Sequence, residues 1–102
     1  MKMCSIMEWD NFKEEEKIKS YYEYVKKITP FFEKLHKELG ILTSSWSDGS
    51  GHVVYITEYP SAETYAKVLN NEEYQKIMTN ISRRVLNVHL RTLRPASFIP
   101  ID

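Results

Sequence analysis

With 102 residues, 14 basic and 14 acidic side chains and no formal net charge, the chain has the length of one domain, 1–102, and none of the basic excess of a nucleic-acid binder. No apolar stretch approaches the roughly 18 residues needed to cross a bilayer, and residues 1–10 lack the apolar centre of a signal peptide. Cys4 is the only cysteine, which excludes an internal disulfide, a Cys-x-x-Cys redox pair and a cysteine-rich zinc site and predicts a cytoplasmic protein with no membrane partner.

Met3 to Trp9 predicts a first strand. Asp10 or Asn11 then predicts a helix cap, with Glu14 in capping-box position and Glu15 and Glu16 beside the positive end of the helix dipole. Ile18, Tyr21, Tyr22, Val25, Ile28, Phe32, Leu35 and Leu39 recur every three or four residues, the spacing of one buried helix face. Pro30 removes a backbone donor at a cost of roughly 3 kcal/mol in a helix interior and predicts a kink or break near Ile28. Gly40 predicts a left-handed helix end.

Ile41 to Ser47 and Val53 to Tyr59 predict a hairpin around Asp48-Gly49-Ser50-Gly51, which Pro60 closes. Ser61 predicts the cap of a short helix holding Tyr65, Val68 and Leu69. Asn70, with Glu73 three places on, predicts a recapped second segment that holds Tyr74, Ile77, Met78, Ile81 and Val85. Leu86 to Leu93 predicts the last strand, with Leu86, Val88 and Leu90 on the helix-covered face and Asn87, His89 and Arg91 on the other. All four arginines fall in residues 74–102, the more basic third of the chain.

The order of elements is βαββαβ, which predicts an α+β, ferredoxin-like fold with a four-stranded antiparallel sheet. Two helices cover one face of such a sheet. Val53, Val54, Tyr55 and Ile56 are nevertheless apolar on both faces of the third strand, as are Met3, Cys4, Ile6, Met7 and Trp9 on the first. The apolar tail 96–101 is too short to cover the second face. A second copy packed sheet to sheet is therefore expected, a homodimer.

Trp46 on the second strand, the glycine-bearing hairpin, Val53-Val54-Tyr55-Ile56-Thr57-Glu58-Tyr59 before Ser61, the segment Asn71-Glu72-Glu73-Tyr74-Gln75 and the closing Leu93-Arg94-Pro95 together resemble the dimeric α/β-barrel superfamily, and within it the NIPSNAP-type domains. The sequence departs from that pattern where the third strand often carries His and Trp, here Tyr55 and Thr57, and where Tyr74 replaces a Trp. The resemblance implies a cavity in each protomer between sheet and helices, used by different members for cofactor-independent oxygenation, lactone isomerisation, haem degradation or ligand binding. Haem-degrading members use a histidine on the second helix; residues 62–84 contain none, so haem is not expected.

Rings on elements that face one sheet favour a flat ligand, and Trp46, Tyr55, Tyr22 and Tyr74 are the expected ligand-binding residues. Tyr55 or Glu58 is the candidate catalytic proton carrier, although strict alternation puts Glu58 on the face opposite Tyr55. His36 reads as a boundary residue of the first helix, His52 as a loop-edge residue, and His89 with Asn87 and Arg91 as a polar interface network. His52, His89 and Glu58 lack the short spacing of a metal site, so neither metal nor cofactor is expected. Gly49-Ser50-Gly51 leads into a strand rather than a helix and is no phosphate cradle, and there is no serine triad. The aromatic consensus of RNA-recognition modules is absent from the first and third strands. The resulting expectation is a homodimer that binds a small apolar or aromatic molecule, with cofactor-free oxygenation or isomerisation as its enzymatic form; the alternative is an interaction or ligand-sensing domain that acts through its dimer surface.

Overall fold

The computed structural model describes residues 2–95; the apolar tail 96–101 lies outside them. The elements are β1 (Met3–Asn11), α1 (Glu15–Leu39), β2 (Leu42–Ser47), β3 (His52–Tyr59), α2 (Ala62–Leu69), α3 (Glu72–Ser82) and β4 (Val85–Leu93). Their strands form one antiparallel sheet in the order β2-β3-β1-β4, the ferredoxin-like arrangement.

Register divides the side chains between the two faces. Met3, Ser5, Met7 and Trp9 of β1 pair with Tyr59, Thr57, Tyr55 and Val53 of β3. Met3, Trp9 and Tyr59 are buried there, so this is the helix-covered face. The intervening residues Ile6, Val54 and Ile56 form the second face, together with Glu8, Asp10, His52 and Glu58. Among the described residues no helix covers it: Trp46 is 63% and Leu42 66% exposed.

Three expected boundaries move for identifiable reasons. Neither Asp10 nor Asn11 caps α1, because both remain in β1, paired with Leu86 and Val85 of β4. Glu14 occupies the cap position without a side-chain hydrogen bond, and its carbonyl accepts from the N–H groups of Lys17 and Ile18. Asn71, not Asn70, caps α3: its Oδ1 accepts from the Tyr74 N–H at 2.9 Å. The expected break at Pro30 does not occur, and α1 is one helix of 25 residues. Pro30 and Lys26 are both exposed, so solvent can satisfy the Lys26 carbonyl that the proline leaves unpaired. Ser61 caps α2 as its sequence predicts, accepting from Thr64 N–H at 3.1 Å.

The faces of β4 also differ from strict alternation. Asn87 adopts a left-handed φ of 55°, and the pairing with β1 slips by one residue between Glu8 and Asp10. Val85 and Leu90 consequently lie on the helix-covered face, paired with Asn11 and Met7, whereas Leu86 pairs with Asp10 on the uncovered one. Among the described residues no helix is long and apolar enough to cross a membrane.

The core is thin. Met3, Ile41, Tyr59 and Val68 form one buried cluster under α2, flanked by Leu35, Leu39, Tyr65 and Tyr74. Trp9, Ile28, Ile77 and Val85 are buried apart from that cluster. The Cα radius of gyration, 14.9 Å, exceeds the roughly 13 Å of a compact chain of about 100 residues.

Candidate functional site

The space between the helices and the sheet is a cavity of about 370 Å³, within the size range of small-molecule sites. Its floor is set by the inward register of the strands: Ser5 and Trp9 of β1, Thr43 and Ser45 of β2, and Tyr55 and Thr57 of β3. The roof comes from the apolar stripe of α1, with Tyr21, Ile28 and Phe32, and from Tyr65, Tyr74 and Met78 of the two shorter helices. Four of the floor residues are small hydroxyl side chains at positions that a filled core would give to large apolar groups. Thr43 and Ser45 on edge strand β2 and Glu33 on α1 are exposed, so the cavity opens on this side.

Its walls are aromatic and held edge to face. Tyr59 and Tyr65 have ring centroids 5.0 Å apart at 73°, and Phe32 and Tyr74 lie 6.1 Å apart at 81°. Trp9 and Tyr55 are 6.4 Å apart on the floor. Burial raises the pKa of Tyr55, and the Thr43 and Thr57 hydroxyls only partly offset it. Burial likewise raises Tyr21, Tyr59 and Tyr74. These phenols are therefore neutral at physiological pH and act as hydrogen-bonding groups, not bases. His36, 5.6 Å from the Phe32 ring, moves the opposite way, since burial lowers its pKa and favours the neutral imidazole.

The structure brings together Tyr55 and Tyr74 of the residues expected to bind a ligand and separates the other two. Trp46 pairs with Val54 on the uncovered face, where its Nε1 donates to Ser44 Oγ at 3.1 Å. Tyr22 is 60% exposed on the outer side of α1 and contributes no wall to the cavity. A cavity centred on both Trp46 and Tyr55 is thus corrected by register, because the two residues lie on opposite sides of the sheet. Glu58 is on the uncovered face as well, paired with Cys4 and Leu42. Arg91 stays out of the cavity, as anticipated, and Leu90 lines it.

Trp9 and His36 are cavity residues that sequence reasoning assigned only to core or boundary. The hydroxyl-bearing inward positions Ser5, Thr43, Ser45 and Thr57 were the available signal.

The uncovered face carries its own polar cluster. His52 Nδ1 is 2.7 Å from Asp10 Oδ1 and Nε2 is 3.1 Å from Glu8 Oε1. Asn87 Nδ2 donates to Asp10 Oδ2 at 3.0 Å, and an Arg91 guanidinium nitrogen stands 3.7 Å from Glu8 Oε2. The hydrogen bonds from Asn87, then from His52, hold Asp10 below the usual carboxylate range, and those to Asp10, then Glu8, raise the His52 pKa. Glu58 is at the other end of β3 from His52 and takes no part. Among the described residues no three His, Cys, Asp or Glu side chains are grouped as metal ligands.

No protein-family model matches the sequence, and no curated protein matches it. Solved structures do match, over nearly the whole chain. A conserved protein from Methanosarcina mazei aligns with TM-score 0.72 at 11% identity, over 92% of each chain. A NIPSNAP family protein from Agrobacterium tumefaciens aligns with TM-score 0.60 at 17% identity, over 100% of each chain. SnoaB, a cofactor-independent oxygenase from Streptomyces nogalater, aligns with TM-score 0.65 at 9% identity, over 97% of each chain. This chain has their ferredoxin-like α+β fold.

Proposed function

We propose that this protein binds a small, flat, largely apolar molecule in the cavity between its sheet and helices. The observation that carries the reading is the 370 Å³ space itself, walled by aromatic rings and floored by hydroxyls where a closed core would be packed. The fold shared with a cofactor-independent oxygenase supports it. A thermal-shift screen of planar aromatic compounds tests it: a ligand at about 100 times its Kd adds about 2.7 kcal/mol. That is a rise in Tm of roughly 10–20 °C for a domain of this size. A screen without a shift, with a crystal structure in which the helices have closed over the sheet, overturns the reading.

Cofactor-free oxygenation or isomerisation is the enzymatic form of this proposal. In it Tyr55 donates a hydrogen bond or proton, since burial keeps its phenol protonated. Glu58, outside the cavity, has no part, and the neutral imidazole of His36 is the proton acceptor at the wall.

A second copy, in this reading, covers the open sheet face through Leu42, Trp46, Val54, Ile56 and Leu93. Exposed Trp46 and Leu42 favour this homodimer, because contiguous apolar surface on a sheet marks a binding face. The same surface would serve the alternative function, an interaction domain without catalysis. A cytoplasmic location belongs to the same proposal, supported by the lone cysteine, which cannot form an internal disulfide.

A further inference from the structure

Trp9 is only 7% exposed, and its Nε1–H is buried without a hydrogen-bond partner although the residue forms part of the cavity wall. A buried donor left unpaired costs about as much as a lost hydrogen bond, so an acceptor is expected beside it, from the Tyr21 hydroxyl or from a bound molecule. Tyr21, on α1, lines the cavity beside it, and the nearby indole opposes the rise that burial imposes on its phenol. The Tyr21 hydroxyl has one proton and two lone pairs. When a lone pair takes the Trp9 proton, the Tyr21 O–H points elsewhere; when Tyr21 turns away, Nε1–H is uncovered. In both arrangements this end of the cavity presents a donor.

The charge of the walls restricts the ligand further. Among the described residues no Lys or Arg lines the cavity, and Glu33 supplies the one carboxyl, at the exposed side. An anion brought inside would lose its hydration without gaining a countercharge.

We propose that Trp9 and Tyr21 form the polar end of the cavity and select an uncharged, flat ligand that carries a carbonyl-type acceptor. The proposal rests on the cavity-binding function above and adds the chemical class and the residues that choose it. Three probes of similar shape test it in the full chain: 2-acetylnaphthalene, which has the acceptor, 2-isopropylnaphthalene, which lacks it, and 2-naphthoate, which is charged. The ketone should bind about five- to tenfold tighter than the hydrocarbon, the effect of one satisfied hydrogen bond, and naphthoate should bind weakest. The Trp9 indole N–H resonance, assigned in Trp46→Phe, should move with the ketone and not with the hydrocarbon. Tyr21→Phe leaves Trp9 as the remaining donor, so it should keep a preference for the ketone and enlarge the ketone-induced shift of the Trp9 resonance, with its melting curve recorded alongside; should that variant fail to fold, the indole resonance of the Trp46→Phe protein decides. Equal binding of ketone and hydrocarbon, or an indole resonance indifferent to the acceptor, overturns the donor assignment and leaves the cavity reading standing. Binding of none of the three overturns both.

Discussion

His52 on β3 bridges two carboxylates of β1, its Nδ1 2.7 Å from Asp10 Oδ1 and its Nε2 3.1 Å from Glu8 Oε1. Only the protonated imidazole donates to both at once. Its pKa is raised above the ordinary 6.5, so the stabilisation it brings is complete below pH 6.5 and is lost as pH rises through the higher folded value. Asp10 has the opposite sign: its lowered pKa adds stability above about pH 3.8 that is lost as pH falls through the folded value. The cluster is therefore strongest between those limits. The difference in Tm between the wild type and His52→Gln should shrink as pH rises from 6 to 9, and a difference independent of pH would contradict this.

His36 should titrate on the other side of 6.5. Burial favours its neutral form, so its contribution is present above pH 6.5 and is lost as pH falls through the lowered folded value. Imidazole chemical shifts followed by NMR should place the His36 midpoint below that of His52. A ligand in the cavity should lower it further by removing water from the wall. A midpoint that rises on ligand binding would mean that the ligand carries an acceptor or negative charge against His36.

Ile56→Asp puts a carboxylate at the centre of the uncovered sheet face. Light scattering at micromolar concentration should show a dimer for the wild type and a monomer or aggregate for the variant, since an unpaired charge would enter the interface. A stable interface of standard size buries about 800 Å² on each partner. A folded wild-type monomer under these conditions would remove the homodimer from the proposed function.

Gly40 has φ +67°, and a Cβ built there would meet only the Pro60 side chain, at 3.8 Å. That is ordinary contact, so Gly40→Ala tests the backbone conformation alone. Denaturant unfolding should show a loss of about 1–2 kcal/mol with no change in the slope of the transition.

Much of the fold was legible because periodicity and punctuation agreed: the long stripe of α1, the glycine at 40, the serine at 61 and the prolines that flank the strands all mark their elements. The face of Trp46 was not legible. Alternation groups Leu42, Ser44 and Trp46 on one side of β2, but which side meets the helices depends on pairing with β3, a strand apolar on both faces. The usual rule then misleads, since the inward residues of β2 are Thr43 and Ser45, small and polar where they border a cavity. Asp10 and Asn11 look like helix caps from their neighbours alone; pairing with His52 of β3, the Gly51 carbonyl and β4, all more than 35 residues away in sequence, keeps them in the sheet.

The slip at Asn87 makes the content of the cavity depend on pairing register as much as on residue type. Upstream of it the strand sends Val85 towards the helices, and downstream it sends Leu90 there, an odd and an even position served by one extra residue. If β4 paired without this slip, with Asn87 retained and Val85 still opposite Asn11, every later side chain would turn through the sheet. Leu90 would leave the cavity floor, and His89 and Arg91 would replace it. A wall without a cation would acquire one with no substitution at all, so the bulge itself keeps the imidazole and guanidinium of this strand away from a neutral guest.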